Sequence, residues 1–187
     1  WASSNVSVGD PVQPNTQKTI EHKVADLGYS VVSTIKTVDR DGDNLTDHLY
    51  FGDLGGQVWR IDINNFRNSE QAFATHIVRL LDLQADVNSN ELYKRPRFYT
   101  QPTFSIYRVP SSGRVMAAIS IGSGNLSRPM HDPVGEPNWK ANAIYTLFDK
   151  DVTRSNLYKI NSSQLVTRDV QPVELSTNQR KGIDKAF

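Results

Sequence analysis

The stretch Thr37–Asn64, TVDRDGDNLTDHLYFGDLGGQVWRIDIN, decides the architecture. It opens on the tail of a β-branched run, Ser30 to Val38 (SVVSTIKTV), of the composition that strands favour. An acidic loop runs from Asp39 to Asp47, and the apolar run His48-Leu49-Tyr50-Phe51 follows it. Gly55-Gly56 marks a turn. Beyond it, from Gln57 to Ile63, Trp59, Ile61 and Ile63 alternate with Arg60 and Asp62. That period of two predicts a strand with one buried face and one solvated face. Three strands joined by short turns predict an antiparallel meander.

Outward from this stretch the pattern recurs less regularly. His76 to Leu83 (HIVRLLDL) fits a strand or a short helix, and its period does not decide. Phe98 to Val109 reads as a strand, with Pro102 marking an edge or a bulge. Arg114 to Ile121 is a strand with apolar Val115, Ala117, Ile119 and Ile121, and its small residues Ala118, Ser120 and Gly122 predict a closely packed neighbouring layer. Gly122 to Asn138 is a long loop carrying Pro129, Pro133 and Pro137, Asn142 to Phe148 is the next strand, and Asp151 to Leu165 has room for one helical turn. The first ~25 residues, with Pro11 and Pro14, and the tail are polar and irregular. The fold class is all-β. A sandwich is the plainer architecture and a β-propeller the sharper one. Four-stranded blades take ~40–45 residues each, so this chain supplies at most about four. As a propeller it is incomplete.

Composition narrows the function classes. The chain has 187 residues, 37% of them hydrophobic and 22% charged. Lys+Arg 21 against Asp+Glu 20 leaves a net charge of +1, which argues against a dedicated nucleic-acid binder. Mean hydropathy is −0.50 and no long apolar run occurs, so no transmembrane helix is expected. No charged-then-apolar leader opens the sequence, so a signal peptide is expected to be absent or already removed. With no cysteine, disulfide scaffolds, thiol catalysis and cysteine zinc sites are excluded.

The acidic loop is the strongest chemical signal. Asp39, Asp41, Asp43 and Asp47 stand at loop positions 1, 3, 5 and 9, and the backbone carbonyl of Leu45 stands at position 7. That is the ligand spacing of a calcium loop. Carboxylates so close repel one another and call for a counter-charge, and oxygen-only ligands at flexible spacing suit Ca²⁺ over Mg²⁺. Position 6 requires a left-handed backbone, and Asn44 is the most tolerant residue after glycine. Position 12 is Tyr50, so the bidentate Glu of an EF-hand is missing, and the flanks read as strands. An affinity of about 10⁻⁵–10⁻³ M, suited to extracellular calcium, is expected. The competing reading is a solvated acidic turn.

Other signals are weaker. His22, His48, His76 and His131 are scattered with no pair at metal-ligand spacing, which favours surface or packing roles. Gly122-Ser123-Gly124-Asn125 lacks the Lys-Ser/Thr of a phosphate loop and reads as a tight turn. No Gly-x-Ser-x-Gly occurs to support a hydrolase triad. Arg95, Arg97, Arg108 and Arg114 interleave with aromatics in a way that fits alternating strand faces better than single-strand binding.

The Thr37–Asn64 stretch closely resembles the C-terminal propeller domain of the PilY/PilC family of type IV pilus proteins. In that family a calcium loop is followed by a Leu-Tyr-x-Gly-Asp strand and a Gly-Gly-x-(Val/Leu)-Trp-Arg-x-Asp strand. Here these are Leu49-Tyr50-Phe51-Gly52-Asp53 and Gly55-Gly56-Gln57-Val58-Trp59-Arg60-Ile61-Asp62. Gln101-Pro102, Ile121 to Asn125, Asn142 to Asp149 and Thr153 to Leu157 also look like the family.

The resemblance implies a modified, quinoprotein-like propeller with antiparallel blades, of which 26–64 is the calcium-loop blade, 76–150 supplies further blade strands and 151–187 is a polar connecting segment. It implies a calcium-binding, non-enzymatic segment, with ligands at Asp39, Asp41, Asp43, the Leu45 carbonyl and Asp47. The parent would be an exported protein of a Gram-negative bacterium, at the pilus tip, outer membrane or periplasm. It would promote pilus assembly and adhesion, with calcium tuning extension against retraction. Implied partners are minor pilins, a host or abiotic surface, and the remainder of its own propeller. The rival class is a quinone-dependent dehydrogenase, which shares Gly-Gly-x-x-Trp-Arg-x-Asp strands but draws its calcium ligands from separate blades. An integrin-like array would repeat the acidic loop, which occurs once.

Overall fold

A computed structural model describes residues 22–66, 74–83, 89–110, 112–137, 139, 141–161, 165 and 173–174. The expectations for the first residues and for the tail beyond 174 lie outside these. The described strands form two four-stranded sheets, each antiparallel and each in simple sequence order. The first holds β1 (Lys36–Val38), β2 (His48–Gly52), β3 (Gln57–Ile63) and β4 (Ala74–Asp82). The second holds β5 (Thr103–Arg108), β6 (Val115–Gly122), β7 (Ile144–Asp149) and β8 (Val173–Glu174). Two successive four-stranded meanders have the topology of neighbouring propeller blades. The helix-or-strand ambiguity at His76 resolves to strand. β4 pairs with β3, so the division between 26–64 and 76–150 cuts through the first sheet. The helical turn expected after Asp151 is a single 3₁₀ turn, Leu157–Lys159.

The turn between β2 and β3 follows from one side chain. Asp53 Oδ1 accepts the N–H groups of Gly55 at 2.9 Å and Gln57 at 3.0 Å, and Oδ2 accepts Trp59 Nε1 at 3.0 Å. Gly56 closes the turn at φ +78°, where a side chain would also meet the Pro96 carbonyl at 2.7 Å. The second sheet reuses the device. Asp149 at the end of β7 accepts the N–H groups of Asp151 at 3.0 Å and Val152 at 3.2 Å through Oδ1.

The main core lies between the sheets. Tyr50, Val58 and Val78 of the first pack with Ala117, Ile119 and Leu147 of the second. Fully burying a Val, Ile or Leu side chain of this core contributes about 1.5–3 kcal/mol. A smaller cluster of Leu27, Phe51 and Trp59 covers the opposite face of the first sheet.

The expectation of a solvated Arg60/Asp62 face is overturned. Both residues are fully buried, on the same face as Val58 and Tyr50, and that face meets the second sheet. Alternation identifies two faces; it does not reveal that a second layer covers the polar one.

Candidate metal centre

The acidic loop joins β1 to β2, and its local hydrogen bonds follow from its aspartates. Asp39 accepts Gly42 N–H at 2.7 Å through Oδ1 and Asn44 N–H at 2.9 Å through Oδ2. Asp43 Oδ1 accepts Leu45 N–H at 2.8 Å. Short acidic side chains fold such loops by satisfying nearby backbone donors. Asn44 has φ +67° and Gly42 φ +81°, so position 6 has the left-handed backbone the spacing requires. The Gly42 hydrogen bond is the main influence holding the Asp39 carboxyl below its usual range; desolvation opposes it and the Asn44 bond adds to it.

The sequence-predicted ligands divide into two groups. Asp39, Asp41 and Asp43 converge, each offering a carboxylate oxygen within 4.8 Å of the others, and all three are exposed. This all-oxygen, flexible donor set is chemically suited to a hard divalent cation such as calcium. Leu45 belongs to the same loop, with its side chain half exposed. Asp47 stands apart. It is buried at 4% exposure, and its Oδ2 accepts Arg40 N–H at 2.7 Å. Its Oδ1 accepts the Tyr158 hydroxyl at 3.4 Å.

The loop is attached to the segment that follows β7 of the second sheet. Arg40 donates to the carbonyls of Val152 at 3.3 Å and Arg154 at 3.2 Å, and its guanidinium lies 5.2 Å from the Tyr158 ring centroid. Tyr158 in turn stacks on His48, with centroids 6.5 Å apart and planes 12° from parallel.

Beneath Tyr158 lies a charge cluster that sequence reasoning missed. The register sets His48 opposite Asp62 and Asp62 opposite His76, a row across β2, β3 and β4. His48 Nδ1 is 2.8 Å from Asp62 Oδ1, and His76 Nδ1 is 3.1 Å from Asp62 Oδ2. Arg60 donates to Asp62 Oδ2 at 3.0 Å and reaches across to Asp149 of β7. Burial by itself would raise the Asp62 carboxyl, but hydrogen bonds from the two histidines and the charge of Arg60 outweigh it and hold it far below the usual range. Burial disfavours the Arg60 cation, yet Asp149 and Asp62 more than offset this. Of the four histidines, His131 is exposed and His22 half-buried, in keeping with surface roles, while His48 and His76 are buried and converge on one carboxylate. The one available signal was a pair of polar residues at alternate positions of an otherwise apolar strand.

An all-β chain of two consecutive antiparallel meanders, with an acidic loop on the first, is the class these observations define. The solved structure of the Pseudomonas aeruginosa PilY1 C-terminal domain is similar to it, at 22% sequence identity and a TM-score of 0.37. The match covers 63% of this chain and 25% of that structure. No protein-family model matches the chain, and no curated protein does.

Proposed function

We propose that this chain is the calcium-binding part of a propeller in a type IV pilus tip and biogenesis protein of the PilY/PilC kind. It is non-enzymatic, acts outside the cytoplasm of a Gram-negative bacterium, and promotes pilus assembly and adhesion together with minor pilins. The observation that carries the reading is the acidic loop. Three carboxylates converge within 4.8 Å on a backbone whose sixth position is left-handed. The strands that follow carry Leu49 to Asp53 and Gly55 to Asp62, the sequences that resemble the family.

In this reading Asp39, Asp41, Asp43 and the Leu45 carbonyl bind the ion directly. Asp47, at position 9, acts through a water, as that position often does in calcium loops. Bound calcium neutralises mutually repelling carboxylates and orders the loop. Arg40 then transmits that order to the segment that follows β7, because it is fixed by Asp47 at its N–H and by Val152 and Arg154 at its guanidinium. Calcium at 100 times its Kd stabilises the bound form by about 2.7 kcal/mol, enough to bias an adjoining surface between two states and so to tune extension against retraction. Placing every ligand in one loop favours this reading over a quinone-dependent dehydrogenase, whose calcium is held from separate blades.

The test is a calorimetric calcium titration of the intact protein and of an Asp43→Ala, Asp47→Ala variant, followed by piliation of cells carrying each. Saturable binding in the micromolar-to-millimolar range, lost in the variant together with normal piliation, is the expected result. No heat of binding up to millimolar calcium would return the loop to an acidic turn. Dehydrogenase activity with added quinone would move the protein to the rival class.

A further inference from the structure

His76 on β4 is 2% exposed, and both of its ring nitrogens are engaged. Nδ1 lies 3.1 Å from Asp62 Oδ2, and Nε2 lies 2.8 Å from the Ile160 carbonyl oxygen. A carbonyl only accepts hydrogen bonds, and so does an ionised carboxylate. The Arg60 guanidinium faces both oxygens of Asp62, donating from Nη2 to Oδ2 at 3.0 Å and with Nε 2.8 Å from Oδ1, so it is the ionised form that this site satisfies. Two acceptors facing one imidazole can both be met only if both nitrogens carry hydrogen.

Charge balance leads to the same place. The groups facing His76 and its partners are His48 and Tyr50 from β2, Arg60 and Asp62 from β3, Asp149 from β7, and Tyr158 with the Ile160 carbonyl from the segment after β7. Arg60 supplies one positive charge to two carboxylates, Asp62 and Asp149, all of them within 1% of complete burial. A buried cluster with a residual charge is strongly disfavoured. One further cation restores neutrality; His48 needs hydrogen on Nδ1 alone, because its Nε2 faces no hydrogen-bond partner among the described residues, whereas His76 faces an acceptor at each nitrogen and is the imidazole placed to supply the charge.

We propose that His76 is a buried imidazolium at neutral pH, clipping β4 of the first sheet to the segment that follows β7 in the second, and that alkalinisation opens this clip. Loss of one proton leaves either the Ile160 carbonyl or an Asp62 oxygen facing a bare nitrogen, and returns a net negative charge to the cluster. The join between the sheets is thereby pH-sensitive without involving the acidic loop. The hydrogen bond to Asp62, opposed by burial and reinforced by the Ile160 carbonyl, raises His76 above its ordinary 6.5. Because the folded value is the higher one, the stabilisation is complete below about 6.5 and is lost as pH rises through the folded value.

The experiment is a histidine-selective NMR titration of the intact protein, labelled with ¹³C and ¹⁵N in histidine and held at constant calcium, with His76→Gln used to assign the signal. Both His76 nitrogens are expected to be protonated at pH 7 and to lose one proton at a midpoint above 6.5. The urea midpoint is expected to fall through the same pH window in the wild type and to stay level there in His76→Gln. Should that variant fail to fold, the wild-type titration and denaturation series decide alone, with His76 assigned by through-space contacts to Ile160. A His76 that is neutral at pH 7, a midpoint at or below 6.5, or a urea midpoint that is flat across the window would overturn the proposal. Because calcium is held constant, the protonation of His76 and the difference in pH dependence between wild type and His76→Gln are read separately from calcium binding, so failure of the calcium reading would leave them unchanged.

Discussion

Asn44 is the residue on which the acidic loop turns, and its φ of +67° gives it a measurable signature. A β-branched side chain there meets its own backbone, so Asn44→Val is expected to cost about 1–2 kcal/mol while Asn44→Gly stays within a few tenths. Urea midpoints of the two variants check this, and equal losses would show that the position is not held left-handed in solution. The loop was legible in the sequence because its chemistry is local: five ligand positions and one backbone requirement fall within nine consecutive residues, Asp39 to Asp47. Arg60 and Asp62 were misread for the opposite reason. Their partners His48, His76 and Asp149 lie on other strands, and nothing in a single strand says which of its faces another sheet will cover.

At the level of elements, the close approach of β2 to the second sheet sets what can be changed. A Cβ at Gly52 would stand 2.5 Å from Phe98 Cβ and 2.7 Å from Ile121 Cδ1. Gly52→Ala is therefore expected to lose about 1–3 kcal/mol as Phe98 and β6 are pushed back. Gly56→Ala is expected to lose more, because its obstacle is the Pro96 backbone carbonyl and its φ is positive as well. Comparing the thermal midpoints of the two variants tests that order; a more stable Gly56→Ala would refute it. The strands themselves were largely readable, since β-branched runs and glycine turns are short-range signals. β4 was ambiguous because HIVRLLDL satisfies either period, and pairing with β3 decided it. Pro102 fits its edge reading, for it immediately precedes β5, the outer strand of the second sheet.

For the whole molecule, the contact between sheets combines an apolar core with a buried ion pair. Removing one member strands the other, so Arg60→Met or Asp149→Leu is expected to cost about 3–5 kcal/mol, and the double variant less than the sum of the two. A double-mutant cycle by urea denaturation measures the coupling, and strict additivity would mean that the pair does not act as a unit. The cluster is also spread far along the chain. Arg60 meets Asp149 89 residues later, and His76 meets Ile160 84 residues later, whereas the hairpins of the first sheet close over short spans. During synthesis at ~5–20 residues per second, the first sheet would wait on the order of ten seconds for its partner. Throughout that interval, the face that will become interior presents a guanidinium, a carboxylate and two imidazoles to water. Charges that must be dehydrated at the final docking step thus act beforehand as a solubilising coat on a half-made protein.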